Sequence, residues 1–343
     1  MGVAAPVSYF LFVFCFFLAG GCENNTGKPH QLLIQGQTMG TSYTVKVSDA
    51  GVLPFADSIG SDVENILAAV NSSMSTYLPD SELSKINRAE AKQWLDVSSQ
   101  LYEILLASAR IATQTSGHFD ITVGPLVNLW GFGPGDDTGQ IPGDEEIRHI
   151  LEYTGMDKVQ LRESPGAIWK NHKEVYLDLS AIAKGYAVDK LGEYLVSRGL
   201  DNFLVEIGGE ILAHGHNEKN QAWMIGIERP SRHDRKVQRA IALVDIAMAT
   251  SGDYRNYRKI NGNYYSHSID PHNGWPVQHQ LASVTVLHPS ATDADALATG
   301  FLVMGKDKAM EIALQDQLAV LFIERDGDDF IESYTPAMGK YLQ

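Results

Sequence analysis

Four short segments carry side chains that could do chemistry together. In Thr292-Asp293-Ala294-Asp295-Ala296-Leu297-Ala298-Thr299-Gly300, Asp295 and Thr299 are spaced i and i+4. On a helix that spacing stacks them on one face. A carboxylate and a hydroxyl among small alanines offer hard oxygen ligands to a cation such as Mg2+. The same letters also fit a helix capped at Asp293, with Thr299 bonded back to its own helix. In Asp178-Leu179-Ser180-Ala181-Ile182-Ala183-Lys184-Gly185-Tyr186-Ala187-Val188-Asp189, Lys184 falls where a strand gives way to a helix. An ammonium beside unpaired backbone N–H groups makes an anion site, while an ordinary junction with a surface lysine reads the same way. In Ser266-His267-Ser268-Ile269-Asp270-Pro271-His272-Asn273-Gly274-Trp275-Pro276, the Asp-Pro-x-x-Gly turn puts His267 near a strand end. A histidine there can act as a base or polariser, although a lone histidine is more often structural. Ala249-Thr250-Ser251-Gly252-Asp253-Tyr254 is a small polar turn that says little alone.

The elements that must position these groups can be read from periodicity. Leu32 to Val47 alternates as two strands around Gly36–Gly40. Ile59, Val63, Ile66, Leu67 and Val70 mark one helical face. Ser98 is placed to cap a helix through Leu101, Leu105, Ala109 and Ala112, stopped by Gly117. Trp130 to Gly143 reads as a loop where two lobes meet. Val175–Leu179, Phe203–Ile207, Trp223–Ile227, Ile241–Ile246, Tyr264–Ile269, Ala282–Leu287 and Ala319–Ile323 read as strands. Ala183–Arg198, with Gly199 as its stop, Asp293–Met304 and Asp307–Gln315 read as helices. Strands in runs between a few helices predict an α+β fold rather than a regular βαβ alternation.

Composition narrows the function. The 343 residues carry 27 basic and 42 acidic side chains, a net charge of −15. That balance predicts no nucleic-acid partner, because a phosphate backbone must be met by Lys and Arg. A small anionic ligand remains open, since a local site can oppose the net charge. Cys15 and Cys22 are the only cysteines, so a disulfide framework and a Cys-rich zinc site are excluded. Walker A, HExxH, GxSxG and CxxC motifs are absent. Gly131-Phe132-Gly133-Pro134-Gly135 does not link a strand to a helix, and His214 and His216 have no third ligand close in sequence.

Residues 1–21 contain no charged side chain, and Leu11–Ala19 form an apolar run too short to span a bilayer comfortably. Leu18-Ala19-Gly20-Gly21-Cys22 resembles a bacterial lipobox, which predicts a lipoprotein signal peptide over 1–21 and lipidation at Cys22. Residues 22–31 read as a polar tether, and 32–343 as the folded body.

The chemical segments, in this order, resemble the ApbE family of flavin transferases. Met39-Gly40-Thr41, Met74-Ser75-Thr76-Tyr77 with Ser81-Glu82-Leu83 and Asn87, Gly117-His118-Phe119-Asp120-Ile121-Thr122-Val123-Gly124-Pro125-Leu126, Trp130-Gly131-Phe132-Gly133 and Ile207-Gly208-Gly209-Glu210 extend the likeness over roughly residues 32–323. Ser180 stands where that pattern has Gly, and His272-Asn273 where it has Arg-Thr. The resemblance implies mostly antiparallel sheets with packed helices, in two intimate lobes with the flavin site between them. It implies that FAD is split at its pyrophosphate, FMN is joined to a Thr or Ser hydroxyl of an acceptor flavoprotein, and AMP leaves. FAD would be lined by Met39, Tyr77, Phe119, Asp120, Ile121, Asp178, Lys184 and Ile269. Mg2+ would be held by Asp295, Thr299 and the Ala181 carbonyl, with His267 as the base. Acceptors would be subunits of sodium-pumping quinone reductase (Nqr) or Rnf-type redox complexes, reached from a lipid anchor on the periplasmic face of the inner membrane or the outer face of the plasma membrane. FAD hydrolysis by water and a non-catalytic flavin carrier are the alternatives.

Overall fold

The computed structural model describes residues 31–48, 56–134, 139–231 and 236–342, so the expected signal peptide and Cys22 lie outside the described residues. The chain opens as a hairpin of β1 (Leu32–Thr38) and β2 (Thr41–Val47). Its two turn residues, Met39 and Gly40, have φ of 49° and 73°, the sense of twist that a two-residue hairpin turn needs. The chain then leaves the sheet for α1 (Ala56–Met74), α2 (Glu82–Arg88), β3 (Trp94–Asp96), α3 (Ser99–Gln114), α4 (Gly124–Leu129), α5 (Asp144–Leu151), β4 (Val159–Arg162), β5 (Ala167–Lys170) and α6 (Ala183–Ser197). It returns through β6 (Phe203–Ile207) and β7 (Glu210–His214), a hairpin of β8 (Trp223–Glu228) and β9 (Val237–Leu243), then β10 (Ile246–Gly252). A second hairpin, β11 (Tyr257–Ile260) and β12 (Asn263–Ser266), precedes β13 (Leu281–His288), α7 (Ala291–Met304), α8 (Lys306–Gln315), β14 (Ala319–Asp326) and β15 (Asp329–Tyr334).

The main sheet runs β1-β2-β6-β7-β10-β13-β14-β15 with every pairing antiparallel, a meander with helices and hairpins inserted into its connections. The α+β class and the mostly antiparallel sheets are as the sequence predicts. The sheet is covered on both faces. Ala247, Ala249, Val284, Val286, Val320 and Phe322 point into the larger core with the helices, while Met248, Leu287, Leu321 and Ile323 point into a second core beneath β8 and β9. The period of two along each strand makes this split. A third, smaller cluster joins Leu126, Trp130, Ile147, Tyr265 and Ile269.

The helices follow their apolar stripes. Ile59, Val63, Leu67, Val70 and Met74 of α1 are buried. Ser98 caps α3 by accepting from Leu101 N–H, and the helix ends as Ser116 and Gly117 turn to positive φ. The cap of α7 is Ser290, not Asp293: Ser290 Oγ accepts from Asp293 N–H, and Asp293 instead meets Arg110 at 2.6 Å. Buried on nearly every face, α7 lies between the sheet and the helices α3 and α6.

Two expectations of strands are corrected. Ile241–Ile246 is not one strand, because the chain turns at Val244 and Asp245 (φ 50°) between β9 and β10. Trp130 opens the expected loop as an anchor, fully buried, with its indole donating to Gly274 O at 2.8 Å. Val175–Leu179 is not a strand, since its backbone finds partners outside any ladder. Leu177 N–H donates to Asn87 Oδ1 (2.8 Å), Asn87 Nδ2 donates to Leu177 O (2.9 Å), and Asp178 N–H donates to Ile121 O (2.7 Å). One buried side chain thus does the work of a neighbouring strand. Asn87→Ala would strand both Leu177 groups, at about 1–3 kcal/mol each. Denaturant unfolding should show a loss of about 2–6 kcal/mol, and a loss below about 1 kcal/mol would refute the role given to Asn87.

Candidate active site

A cleft of about 770 Å3 opens where the end of β6, the start of β7 and the end of β10 meet the start of α6 and the middle of α7. The third cluster, with Phe132, His267 and Ile269, closes one side of it. The volume is ordinary for a small-molecule site.

Its floor is a charged cluster built from three elements. Lys184, in the first turn of α6, has its Nζ 3.3 Å from Glu210 Oε1 and 3.5 Å from Asp295 Oδ1. The Asp295 and Glu210 side chains are only 3% and 5% exposed, whereas Lys184 keeps 26%, so two nearly dry carboxylates sit beneath one partly wetted ammonium. Burial opposes the lysine's charge, but the two carboxylates outweigh it and hold its pKa above the ordinary value. Burial pushes the Glu210 carboxyl well up, with Asp295 adding repulsion against the attraction of Lys184. The cluster depends on backbone approach. Gly185 N–H donates to Asp295 Oδ2 at 3.0 Å, and a Cβ at Gly185 would lie 2.2 Å from Ala291 O. Glu210 reaches the cluster because Gly208 and Gly209, at φ 64° and 108°, make the tight turn between β6 and β7.

Oxygen donors surround this cluster. Asp295 and Thr299 share α7 at i and i+4, and Thr299 Oγ1 lies 2.8 Å from Ser251 Oγ of β10. Ala181, just before α6, lines the same cleft. Glu210 Oε2 is buried with no hydrogen-bond partner, and with its pKa pushed up by burial beside a single lysine this carboxyl holds a proton that a further cation would displace. Hydroxyls and carboxylates with spare lone pairs fit a hard divalent cation such as Mg2+.

His267, half-buried, follows β12. Its Nδ1 pairs with Asn256 O at 2.9 Å, which makes Nδ1 the donor and leaves the Nε2 lone pair as the free acceptor. Burial, with Lys184 adding to it, lowers its pKa below the usual 6.5, so the ring is a neutral base near pH 7.

The cleft gathers Tyr77, Phe119, Asp120, Ile121, Asp178, Ala181, Lys184, His267, Ile269, Asp295 and Thr299. Met39 is not among the lining residues. It packs against the main core at the β1–β2 turn, and its neighbours Thr41 and Ser42 face the cleft. Tyr77 is 64% exposed at the entrance. Both Asp120 oxygens are engaged, one with Thr122 N–H and hydroxyl and the other with Met156 N–H, so Asp120 caps the turn at Ile121–Val123. Asp178 Oδ1 accepts from Ser180 N–H and hydroxyl. Sequence reasoning gave no role to Glu210 or Ser251, although the Gly-Gly before Glu210 was a signal that a strand turns back there. His214 pairs with Asp245 rather than with His216.

Known proteins give this fold and cleft their class, that of the flavin transferases. The sequence matches the ApbE family over residues 39–322. It is 41% identical to the FAD:protein FMN transferase of Vibrio cholerae over 94% of this chain and 96% of that protein. It is 35% identical to the Escherichia coli K12 protein of the same name, over 95% and 94%. The fold matches the flavin transferase ApbE of V. cholerae with a TM-score of 0.85 at 40% identity, covering 92% of this chain and all of that one. The apo flavinyl transferase ApbE of Pseudomonas stutzeri matches at 0.83 and 33% identity, over 92% and 98%. The chain belongs to the ApbE family, and it is an enzyme.

Gly185→Ala should force α6 away from α7 and unseat Asp295. We expect a stability loss of about 1–3 kcal/mol in denaturant unfolding, as for other overpacked contacts, and a drop in FAD affinity measured by flavin fluorescence. Unchanged FAD affinity would show that the Gly185–Asp295 contact does not shape the site.

Proposed function

We propose that this enzyme transfers FMN from FAD to a Thr or Ser hydroxyl of an acceptor flavoprotein, with Mg2+ and with release of AMP. The observation that carries this reading is the buried Lys184–Glu210–Asp295 cluster, which shares one cleft with the neutral base His267. A flavin carrier needs no buried carboxylates beneath its ligand's phosphates. The names borne by the relatives support the same activity.

In the proposed step, the acceptor oxygen forms a bond to the flavin-side phosphorus of FAD. The phosphoanhydride P–O bond breaks and its electron pair leaves with AMP. His267 Nε2 takes the hydroxyl proton, while Nδ1–H on Asn256 O fixes the tautomer. Lys184 holds charge against the pyrophosphate. Asp295, Thr299 and the Ala181 carbonyl would hold Mg2+, and the unpaired Glu210 Oε2 is a further oxygen for it. Bound there, the ion would withdraw charge from the phosphoanhydride. Tyr77, Phe119, Ile121 and Ile269 would pack on the flavin or adenine, Asp178 would accept from sugar or base, and Asp120 and Met39 would support the walls.

Turnover against Mg2+ concentration separates these roles. Asp295→Ala should abolish transfer, since loss of a charged stabiliser costs several kcal/mol. Thr299→Ala should raise the Mg2+ requirement, recovering at high Mg2+. His267→Ala should cut kcat by about 10²–10⁴-fold with Mg2+ dependence unchanged. The wild-type acid limb of kcat/KM should fall below pH 6.5, because the lowered pKa keeps the base free down to that point, and His267→Ala should lack this limb. Mass spectrometry of the acceptor should show one added FMN. Free FMN and AMP with unmodified acceptor would make water the acceptor instead. Near-normal transfer by Asp295→Ala would sink the metal assignment.

We propose also that the chain is lipidated at Cys22 and works at the envelope membrane facing the periplasm (or the outer face of the plasma membrane), on Nqr- or Rnf-type subunits. The lipobox-like run before Cys22 supports it. Cys22→Ser should release the protein from the membrane fraction, and an unchanged distribution would refute the anchor.

A further inference from the structure

At the rim of the cleft, His118, Asp270 and His272 each bring one ligating atom within 4.8 Å of the other two. They come from distant segments, one from the chain just after α3 and two from the Asp-Pro turn after β12. The second partner of each ring is what makes this more than a surface cluster. His118 Nδ1 pairs with Thr115 O at 2.9 Å, leaving Nε2 with its lone pair. His272 Nε2 pairs with Ser116 O at 3.1 Å, leaving Nδ1 beside Asp270 Oδ1 at 3.0 Å. A backbone carbonyl on the far nitrogen is the arrangement that orients a metal-bound imidazole and fixes its tautomer. The carboxylate is oriented too, through His272 N–H on Oδ1 and Asn273 Nδ2 on Oδ2. The rings stand 4.5 Å apart between centroids and tilted by 50°. Gly117 leaves room for this, since a Cβ there would come within 3.3 Å of His272 Nε2.

We propose that His118, Asp270 and His272 form a binding site for a first-row transition dication, Zn2+ by the class of its ligands. Two imidazole nitrogens and one carboxylate oxygen are a zinc-type set, unlike the all-oxygen set around Asp295. Bonds of about 2.0 Å in a tetrahedron put ligand atoms about 3.3 Å apart, so binding requires the cluster to contract by up to about 1.5 Å. His272 is exposed and the other two half-buried, which leaves a fourth position for water. Because Phe119 to Ile121 follow His118 and Ile269 precedes Asp270, the ion would pin together two walls of the cleft. The proposal does not depend on the reaction the cleft performs.

The test titrates tag-free, full-length protein in detergent with ZnCl2 by calorimetry, with Mg2+ in excess, and records the visible spectrum with Co2+. We expect one zinc equivalent that His118→Ala and His272→Ala each weaken by at least about tenfold, a typical loss at a metal site. Asp270→Asn, which keeps the turn's hydrogen-bonding shape, should weaken it as well, and Asp295→Ala should retain it. Co2+ should give the intense visible bands of a tetrahedral site, and saturating Zn2+ should raise the melting temperature of the wild type but not of the histidine variants. No zinc equivalent, or one lost in Asp295→Ala and kept in folded His118→Ala and His272→Ala proteins, overturns the proposal.

Discussion

Two carboxylates held nearly out of water against a single ammonium set the terms for the rest of this cleft. Burial on that scale is tolerable only when it is compensated: Lys184 balances Asp295, and burial pushes Glu210 toward its protonated form. Either a proton or a second cation must balance Glu210, whose Oε2 is unpaired, and this is the electrostatic demand of the site. A site with that demand discriminates by charge before any ligand contact is counted.

The fold meets this demand by convergence. The residues of the cluster are supplied by the first turn of α6, the start of β7 and the middle of α7. Gly185 lets α6 approach α7 closely enough for a backbone N–H to reach Asp295, and the turn at Gly208 and Gly209 returns Glu210 to the same point. Because α7 is encased by sheet and helices, Asp295 and Thr299 have little freedom to move. Such a site is organised before ligand binds, which is the condition under which fixed charges lower a barrier.

His267 belongs to a different part of the architecture. It follows the β11–β12 hairpin inserted between β10 and β13, and its tautomer is set by Asn256 O in the adjoining segment. The charged cluster and the neutral imidazole therefore rest on separate parts of the fold, the first on the main sheet and its helices, the second beside an inserted hairpin packed near the Trp130 cluster.

By itself the sequence determined whatever depends on neighbours within a few residues. The stripe from Ile59 to Val70, the Ser98 cap and the spacing of Asp295 and Thr299 are all local, and each follows from the 3.6-residue period or the unpaired N–H groups of a helix start. The ordered segments from Met39 to Gly300 likewise carried the family resemblance that the match over residues 39–322 bears out. Only the tertiary structure decided what depends on partners far along the chain. Asn87 lies 90 residues from Leu177, whose backbone it pairs, which is why an apolar run that looked like a strand is not one. Gly185 and Asp295 are 110 residues apart, and Ser116 and His272 are 156 apart. Glu210 gains its role, and Met39 loses contact with the cleft, for the same reason. A side chain's chemistry is set by the field and the hydrogen-bond partners around it, and those are assembled only when distant segments pack.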